Sequence, residues 1–325
     1  MKIRGIEFGN VFCASGTLNF FGEGWWYHRF FKIFFRGYKK LYTDCTFISK
    51  TTTWNQQAGN MKLKKNQQPR SLWPNCIKLL LFLGAALNAV GLSGPGAPYL
   101  FAQGIWQKIT KAFVISFMAV GKTREERREE RRQFIELFKK ELPTFRAPIM
   151  VQVNKSCPNA GHKTKELEEE TIEDLQAFTA LGIPISLKVN VLFATDLLKR
   201  IDDERLCDII TVSNTIPYGT CAEDINWKKI FWWRKFWGHT SPLHKYGGGG
   251  LSGKENFPLV IKKIVEMRQA GITMPIVFCG GVMSARDVKI LHALNCVSGF
   301  EFATAAMIRP WRVKEIVETG NKLFN

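Results

Sequence analysis

No two of the eight cysteines form a CxxC pair, so the chain lacks the ligand spacing of a zinc ribbon or an iron–sulfur site. They stand singly at 13, 45, 76, 157, 207, 221, 279 and 296. That scatter is not a disulfide scaffold either, and it fits reduced thiols in a cytoplasm. Long apolar runs are also missing. The most apolar stretch, Leu79–Leu92, is too short to span a bilayer and is interrupted by Gly84, Asn88 and Gly91. The opening MKIRGIEFGNVFCASG has no long apolar core and reads as strand and loop, not as a signal peptide. Gly247–Gly250 is a glycine run without the dinucleotide fingerprint that follows a first strand, so the chain is not expected to bind NAD by itself. The scarce charge is acid: 28 Asp and Glu face 46 Lys and Arg, a net charge of +18. Such an excess attracts an acidic substrate, a lipid surface or a nucleic acid, and one small carboxylate does not account for it.

What is present suits one large core. Of 325 residues, 46% are hydrophobic, and one domain over 1–325 is expected. Pro148–Val153, Ile183–Val189, Asp208–Val212 and Pro275–Cys279 read as buried strands. Glu166–Leu181 and Phe257–Ala270 carry apolar residues at helical spacing between them. Strands alternating with helices imply a parallel sheet of βα units, and at this length a (β/α)8 TIM barrel with insertions in the βα loops is the expected fold.

Three segments carry unusual charge patterns. Lys122–Leu142 contains EERREERR, which allows i,i+3 pairs of Glu125 with Arg128 and Glu129 with Arg132. Alternating signs favour a solvated barrel helix over a nucleic-acid arm. Trp25–Tyr42 and Trp227–Trp237 interleave aromatics with Lys and Arg and hold no acid. That mixture suits a membrane interface or a protein partner. The plain alternative is aromatic core with basic side chains reaching outward. Nucleic acid is not an expected partner, because no recognition motif accompanies the clusters.

The segment Val151–Gly161, VQVNKSCPNAG, is the most informative. It puts Cys157 at the end of an expected barrel strand, and barrel active sites gather at that end. Asn154 and Asn159 flank it, and an amide offers both a donor and an acceptor to a flat ring bearing N–H and C=O groups. A lone cysteine would ordinarily read as a small buried hydrophobe. Here the segment resembles the NxSCPN motif of the dihydroorotate dehydrogenase family, in the class that uses cysteine as base. Other short elements follow in the family's order. FGNVFCASG resembles the opening strand, with Ala14, Ser15 and Gly16 at the flavin. SKTT resembles the element that sets Lys50 beside flavin and substrate. NAVGL resembles the substrate loop and supplies Asn88. SLKV supplies Lys188, VSNTI supplies Asn214 and Thr215, and GGLSG supplies Gly249 and Gly250. Gly280 and Gly281 resemble a phosphate-binding turn, with Ala303 and Thr304 following.

The resemblance implies FMN as cofactor and dihydroorotate as substrate. Cys157 would remove a proton from C5 as a hydride leaves C6 for the flavin. An unperturbed cysteine has a pKa of about 8.5, so the site should favour the thiolate; Lys50, Lys155 and Lys163 are candidates to help. Lys188 would stabilise negative charge on the flavin. Its plain alternative is an ion-paired core lysine. Asn88, Asn154, Asn159, Asn214 and Thr215, with Lys50, would hold the pyrimidine. Residues 160–170 would form a loop over the site. Three positions depart from the family pattern: Lys155, where a small or apolar residue is usual, Gly94 for asparagine, and Ala303 for glycine. Strand alternation would turn Lys155 away from Asn154 toward the helical layer or the barrel mouth.

The cysteine implies the soluble class, with fumarate or a second, iron–sulfur flavoprotein subunit taking the electrons. A homodimer is also expected of such barrels. The basic aromatic segments would dock that subunit or a membrane, placing the protein in the cytoplasm with peripheral membrane contact as an option. Two other readings stay open. One is a dihydropyrimidine dehydrogenase-like enzyme, against which the pair Pro158–Asn159 weighs. The other is a non-catalytic basic barrel that binds membrane or nucleic acid.

Overall fold

Eight short runs rich in β-branched and aromatic residues form parallel strands: β1 Val11–Cys13, β2 Thr46–Phe47, β3 Phe113–Phe117, β4 Ile149–Lys155, β5 Ile185–Val189, β6 Ile209–Val212, β7 Ile276–Cys279 and β8 Gly299–Phe302. The structure is a computed structural model and describes residues 1–155, 164–238 and 240–324. Each strand pairs with its neighbour in number except β2 with β3, and β8 returns to β1. Parallel bridges from Ile48 to Val114 and from Thr52 to Phe117 close the ring. The result is the expected (β/α)8 barrel.

Helices α1 His28–Phe34, α2 Arg124–Glu141, α3 Thr164–Thr179, α4 Thr195–Asp203, α5 Asn256–Gln269, α6 Ala285–Leu294 and α7 Val313–Leu323 follow the strands. Alternation divides each strand between two cores. On β4, Met150 joins Phe12, Ile48, Val114 and Val277 inside the barrel, while Val151 and Val153 face the helices. On that outer side, Phe134 of α2 stacks on Phe117 of β3 at 3.9 Å between ring centroids. A phenylalanine buried this fully contributes roughly 2–3 kcal/mol.

The charged helix α2 opens with a capping box, in which Thr123 Oγ1 accepts from Glu126 N–H at 3.1 Å. Glu129 and Arg132 pair within the helix at 2.6 Å, as its spacing allows. Arg128 instead reaches across to Glu173 of α3 at 3.0 Å, and Arg124 and Arg127 likewise pair with Glu173 and Glu170. The Glu/Arg block is thus one side of a helix–helix seam as well as a wetted face.

The insertions build the roof. The apolar stretch Leu79–Leu92 forms half of a hairpin, Ile77–Leu80 with Ala85–Asn88. Gly250–Gly253 adds to it, and Ile216–Pro217 adds to that in turn, making a four-stranded antiparallel sheet. Its core holds Leu87, Ile216 and Leu251 together with Trp227, Ile230 and Phe231. The second aromatic segment is therefore divided. Trp227–Ile230 is a helical turn facing this core, whereas Trp232 and Phe236 are exposed. The first aromatic segment divides likewise, with His28, Tyr38 and Leu41 buried and Phe30, Ile33 and Phe34 exposed.

Candidate active site

The C-terminal ends of the barrel strands border one open cleft of about 1430 Å³. A drug-sized ligand takes about 300–1,000 Å³, so this cleft has room for a cofactor and a substrate together. Every expected site residue among the described residues borders it. Ala14, Ser15 and Gly16 follow β1, and Lys50 follows β2. Asn154 ends β4, Lys188 lies on β5, and Asn214 and Thr215 follow β6. Gly280 and Gly281 follow β7, Ala303 and Thr304 follow β8, and Asn88, Gly249 and Gly250 come from the roof. Cys157 and Asn159 lie outside the described residues, as do residues 160–163 of the expected loop, Lys163 among them, whereas 164–170 form the first turns of α3 and not a loop.

A hydrogen-bonded chain of amides and hydroxyls lines the floor. Asn214 Nδ2 donates to Asn154 Oδ1 at 2.9 Å, and Asn154 Nδ2 donates to Thr51 Oγ1 at 3.2 Å. Thr51 Oγ1 lies 2.9 Å from both Ser15 Oγ and Ser116 Oγ. Five strands thus fix the orientation of two amides at the centre of the mouth. Thr215 N–H donates to Asn214 Oδ1 at 2.9 Å, and Asn190 Nδ2 holds the Thr215 carbonyl at 2.7 Å.

Two lysines stand in this floor in opposite electrostatic states. Lys188 is the Cα partner of Asn154, and its Nζ lies 2.5 Å from Glu301 Oε2 and 3.4 Å from Cys279 Sγ. Burial disfavours its charge, but Cys279 and Glu301 outweigh that and hold it well above the usual lysine range. The same burial pushes the Cys279 thiol up to about 12. No carboxylate among the described residues pairs with Lys50. Its Nζ donates to the Ser93 carbonyl and sits 4.7 Å from the Phe20 ring centroid, and burial drags it down to about 7. Lys155 does turn outward, ion-paired with Glu170 at 3.2 Å and with Asp174.

The glycine turns are packed backbone to backbone. Gly281 has φ +85°, and a Cβ there would come within 2.6 Å of the Gly253 carbonyl and 2.9 Å of Phe257 N. With side chains excluded, main-chain N–H groups are free to approach an anionic group. This cradle, the Lys188 cation and the amide floor suit a flavin that carries a phosphate. Among the described residues no group of three His, Cys, Asp or Glu could hold a metal ion. Gly94, where the family usually has asparagine, is explained by Phe20: a Cβ at 94 would lie 2.8 Å from Phe20 Cζ.

Thr51, Ser116, Cys279 and Glu301 were not singled out from the sequence. Glu301 had a readable signal, an acid inside the apolar run Gly299–Phe302, and Gln152 inside PIMVQV has the same character. Gln152 Nε2 donates to Glu301 Oε1 at 2.8 Å, so the two polar intruders meet inside the barrel.

Fold and site together define a β/α barrel with an open cleft at the C-terminal ends of its strands, lined by amides, hydroxyls and two lysines. The family model for dihydroorotate dehydrogenase matches residues 2–316, and the chain belongs to that family, whose members are flavin-dependent in general. It is 26% identical to the dihydroorotate dehydrogenase B (NAD(+)) catalytic subunit of Anoxybacillus flavithermus, over 98% of this chain and 88% of that one. It is also 26% identical to the dihydroorotate dehydrogenase A (fumarate) of Lactobacillus delbrueckii subsp. bulgaricus, over 77% of this chain and 73% of the relative. A solved DHODH of Eimeria tenella in complex with ferulenol shares the fold, with a TM-score of 0.66 at 16% identity, covering 98% of this chain and 82% of the other. No helix among the described residues is long and apolar enough to cross a membrane.

Proposed function

We propose that the chain is a single FMN-binding domain that oxidises dihydroorotate to orotate in pyrimidine biosynthesis, with Cys157 as the base. The observation that carries this reading is the meeting of Asn154, Asn214, Lys50 and Lys188 on one floor beneath the glycine turns. These residues come from four different strands or their ends, and they converge only at the barrel mouth.

FMN, when bound, supplies the acceptor for the hydride at C6 of the substrate. The other steps belong to the chain. Asn154, Asn214, Asn88, Asn159 and Thr215 hold the ring amides, and the orientation of Asn154, Asn214 and Thr215 is set in advance by the floor network, so little reorganisation of these three accompanies binding. Lys50 faces the substrate carboxylate, and a buried amine near 7 gains a proton cheaply when an anion arrives. Lys188 would supply a positive charge, fixed by Glu301, to offset negative charge on a bound flavin. Cys157 takes the proton from C5, leaving orotate as the neutral-ring product of a two-electron oxidation. The backbone around Gly280, Gly281, Ala303 and Thr304, with Gly249 and Gly250 nearby, receives the phosphate end.

The Anoxybacillus relative is named a catalytic subunit, which implies an electron-transfer partner for that enzyme. For this chain we propose a homodimer in the cytoplasm that passes electrons to an acceptor outside the barrel, through a surface on the basic aromatic segments. Turnover with dihydroorotate against dihydrouracil tests the substrate. A preference of at least about a hundredfold for dihydroorotate is expected, because a site with a cation for the carboxylate rejects the analogue lacking it. Equal turnover would instead favour the dihydropyrimidine dehydrogenase-like reading.

A further inference from the structure

The cleft does not end at the amide floor. One arm runs outward between α1, the loop 62–74, the turn Leu81–Leu83 and the segment Pro310–Trp311, bordered by Trp26, Phe30, Phe31, Trp73, Leu81 and Trp311. These elements are tied together around the opening. Gln68 accepts from Trp26 N–H at 2.9 Å and donates to the Gly24 carbonyl at 2.8 Å, and the rings of Phe35 and Trp311 meet at 6.0 Å.

The rim of this arm is both apolar and exposed. Phe82 is fully exposed, Ile33, Phe34 and Trp73 are about three-quarters exposed, and Leu72, Leu81, Phe30 and Trp311 more than half. They stand on four separate elements: Phe30, Leu72, Trp73, Leu81 and Trp311 border the cleft, and Ile33, Phe34 and Phe82 are their exposed neighbours in the chain. Large apolar side chains grouped like this on a monomer mark a surface that meets something apolar. The charge around them is predominantly positive. From Gly24 to Lys122 the sole acidic residue is Asp44, and it is engaged by Lys40 at 2.8 Å. Arg29, Arg36, Lys39, Lys62, Lys64, Lys65 and Arg70 are exposed in the same elements.

We infer that this rim docks on the surface of an anionic phospholipid bilayer, so that the mouth of the cleft opens at the membrane. The inference rests on the proposed oxidoreductase reading only for what the cleft does, not for the docking itself. Lipid headgroups supply the negative charge that the Lys and Arg lack within the chain, and the acyl boundary lies a few ångströms below, where Phe, Ile and Trp prongs would reach. Trp73, Trp311 and Trp26 suit that boundary, since an indole has an apolar body and one N–H for the headgroup layer. An acidic protein could pair with the cations, but separate protruding prongs would need a matching pit for each. A fluid bilayer needs none.

The test is co-sedimentation of the full-length holoenzyme with sucrose-loaded vesicles. Vesicles of phosphatidylcholine with phosphatidylglycerol are compared with vesicles of phosphatidylcholine alone. Partitioning onto the anionic vesicles is expected to exceed that onto neutral ones by at least about tenfold and to fall as salt rises. The triple variant Ile33→Ser, Phe34→Ser, Phe82→Ser lies outside the catalytic cleft. It should lose at least about tenfold of vesicle binding and keep its rate of flavin bleaching by dihydroorotate in solution. No sedimentation at low salt overturns the proposal and leaves a protein partner as the occupant of the rim. So does binding that the triple variant leaves unchanged, which would be mere adsorption of a cationic protein. The bleaching assay in solution reports separately on the enzymatic reading, because it contains no vesicles.

Discussion

Lys188 Nζ and Glu301 Oε2 lie 2.5 Å apart beneath the cleft, and Gln152 holds the second oxygen of the same carboxylate at 2.8 Å. The sequence allowed two roles for Lys188, a flavin cation and an ion-paired core lysine, and the geometry serves both. Both residues border the cleft, and Glu301 also reaches inward to Gln152 in the barrel. Removing one member of a buried pair costs about 3–5 kcal/mol, because the other is left charged and alone. Glu301→Gln and Lys188→Met should each lower the urea stability of the flavin-free protein by that order. The double variant should recover part of the loss. Flavin retention separates the roles: both variants lacking Lys188 should purify largely colourless, whereas Glu301→Gln retains the flavin. Full flavin loading in Lys188→Met would reduce Lys188 to a structural residue.

Lys50 gives the opposite balance. Burial alone carries its amine down to about 7, against about 10.4 for an exposed lysine. Unfolding therefore takes up a proton between those values, and the buried amine destabilises the fold in full below about 7. Lys50→Met should raise the thermal midpoint of the flavin-free protein by a few degrees. The same change should weaken dihydroorotate binding about a hundredfold, since the carboxylate loses its cation. In the unchanged enzyme, affinity for the substrate should decline as pH rises above about 7. A variant that binds dihydroorotate normally would exclude Lys50 from the site.

Much of this arrangement is legible in the sequence. The four expected strands appear within two residues of their expected bounds, because continuous β-branched runs between helical patterns have few other uses in a parallel sheet. Strands β3 and β8 were not legible. Phe113–Phe117 is a short apolar run that periodicity cannot distinguish from a buried helix, and Gly299–Phe302 hides an acid in its middle. The roof was illegible for a different reason. Gly250–Gly253 pairs with Ala85–Asn88 across more than 160 residues, and no local pattern encodes such a partner. Of the floor, the asparagines and lysines stood out through the family motifs. The hydroxyls of Thr51 and Ser116, which orient Asn154, matter only through neighbours on other strands.

Glu170 ties α3 to the end of β4. Burial works against its charge, but Arg127 at 2.6 Å and Lys155 at 3.2 Å overcome it and pull the carboxyl down to about 2. The folded value lies below the unfolded one of about 4.3, so the stability this carboxylate contributes is complete above that pH. It is lost as pH falls from about 4.3 toward 2. Glu170→Gln should lower stability at pH 6 and narrow the gap between urea midpoints at pH 6 and pH 3. An unchanged gap would mean that the ion pair does not govern acid sensitivity.

Cys157 is the proposed base. Replacing it with serine should slow the reaction less than alanine does and move the pH optimum upward, because a hydroxyl is harder to deprotonate than a thiol. The pH profile of flavin reduction across the two variants checks this, and a serine variant with an unshifted optimum would argue against proton removal at this position.

The most direct measurement is stopped-flow absorbance of the purified yellow protein mixed anaerobically with dihydroorotate. The expected result is rapid bleaching of the flavin in the natural chain and bleaching slowed by about 10²–10⁴-fold in Cys157→Ala, with the flavin still bound. A protein that stays colourless in the presence of FMN, or a Cys157→Ala variant that bleaches at the natural rate, contradicts the proposed chemistry.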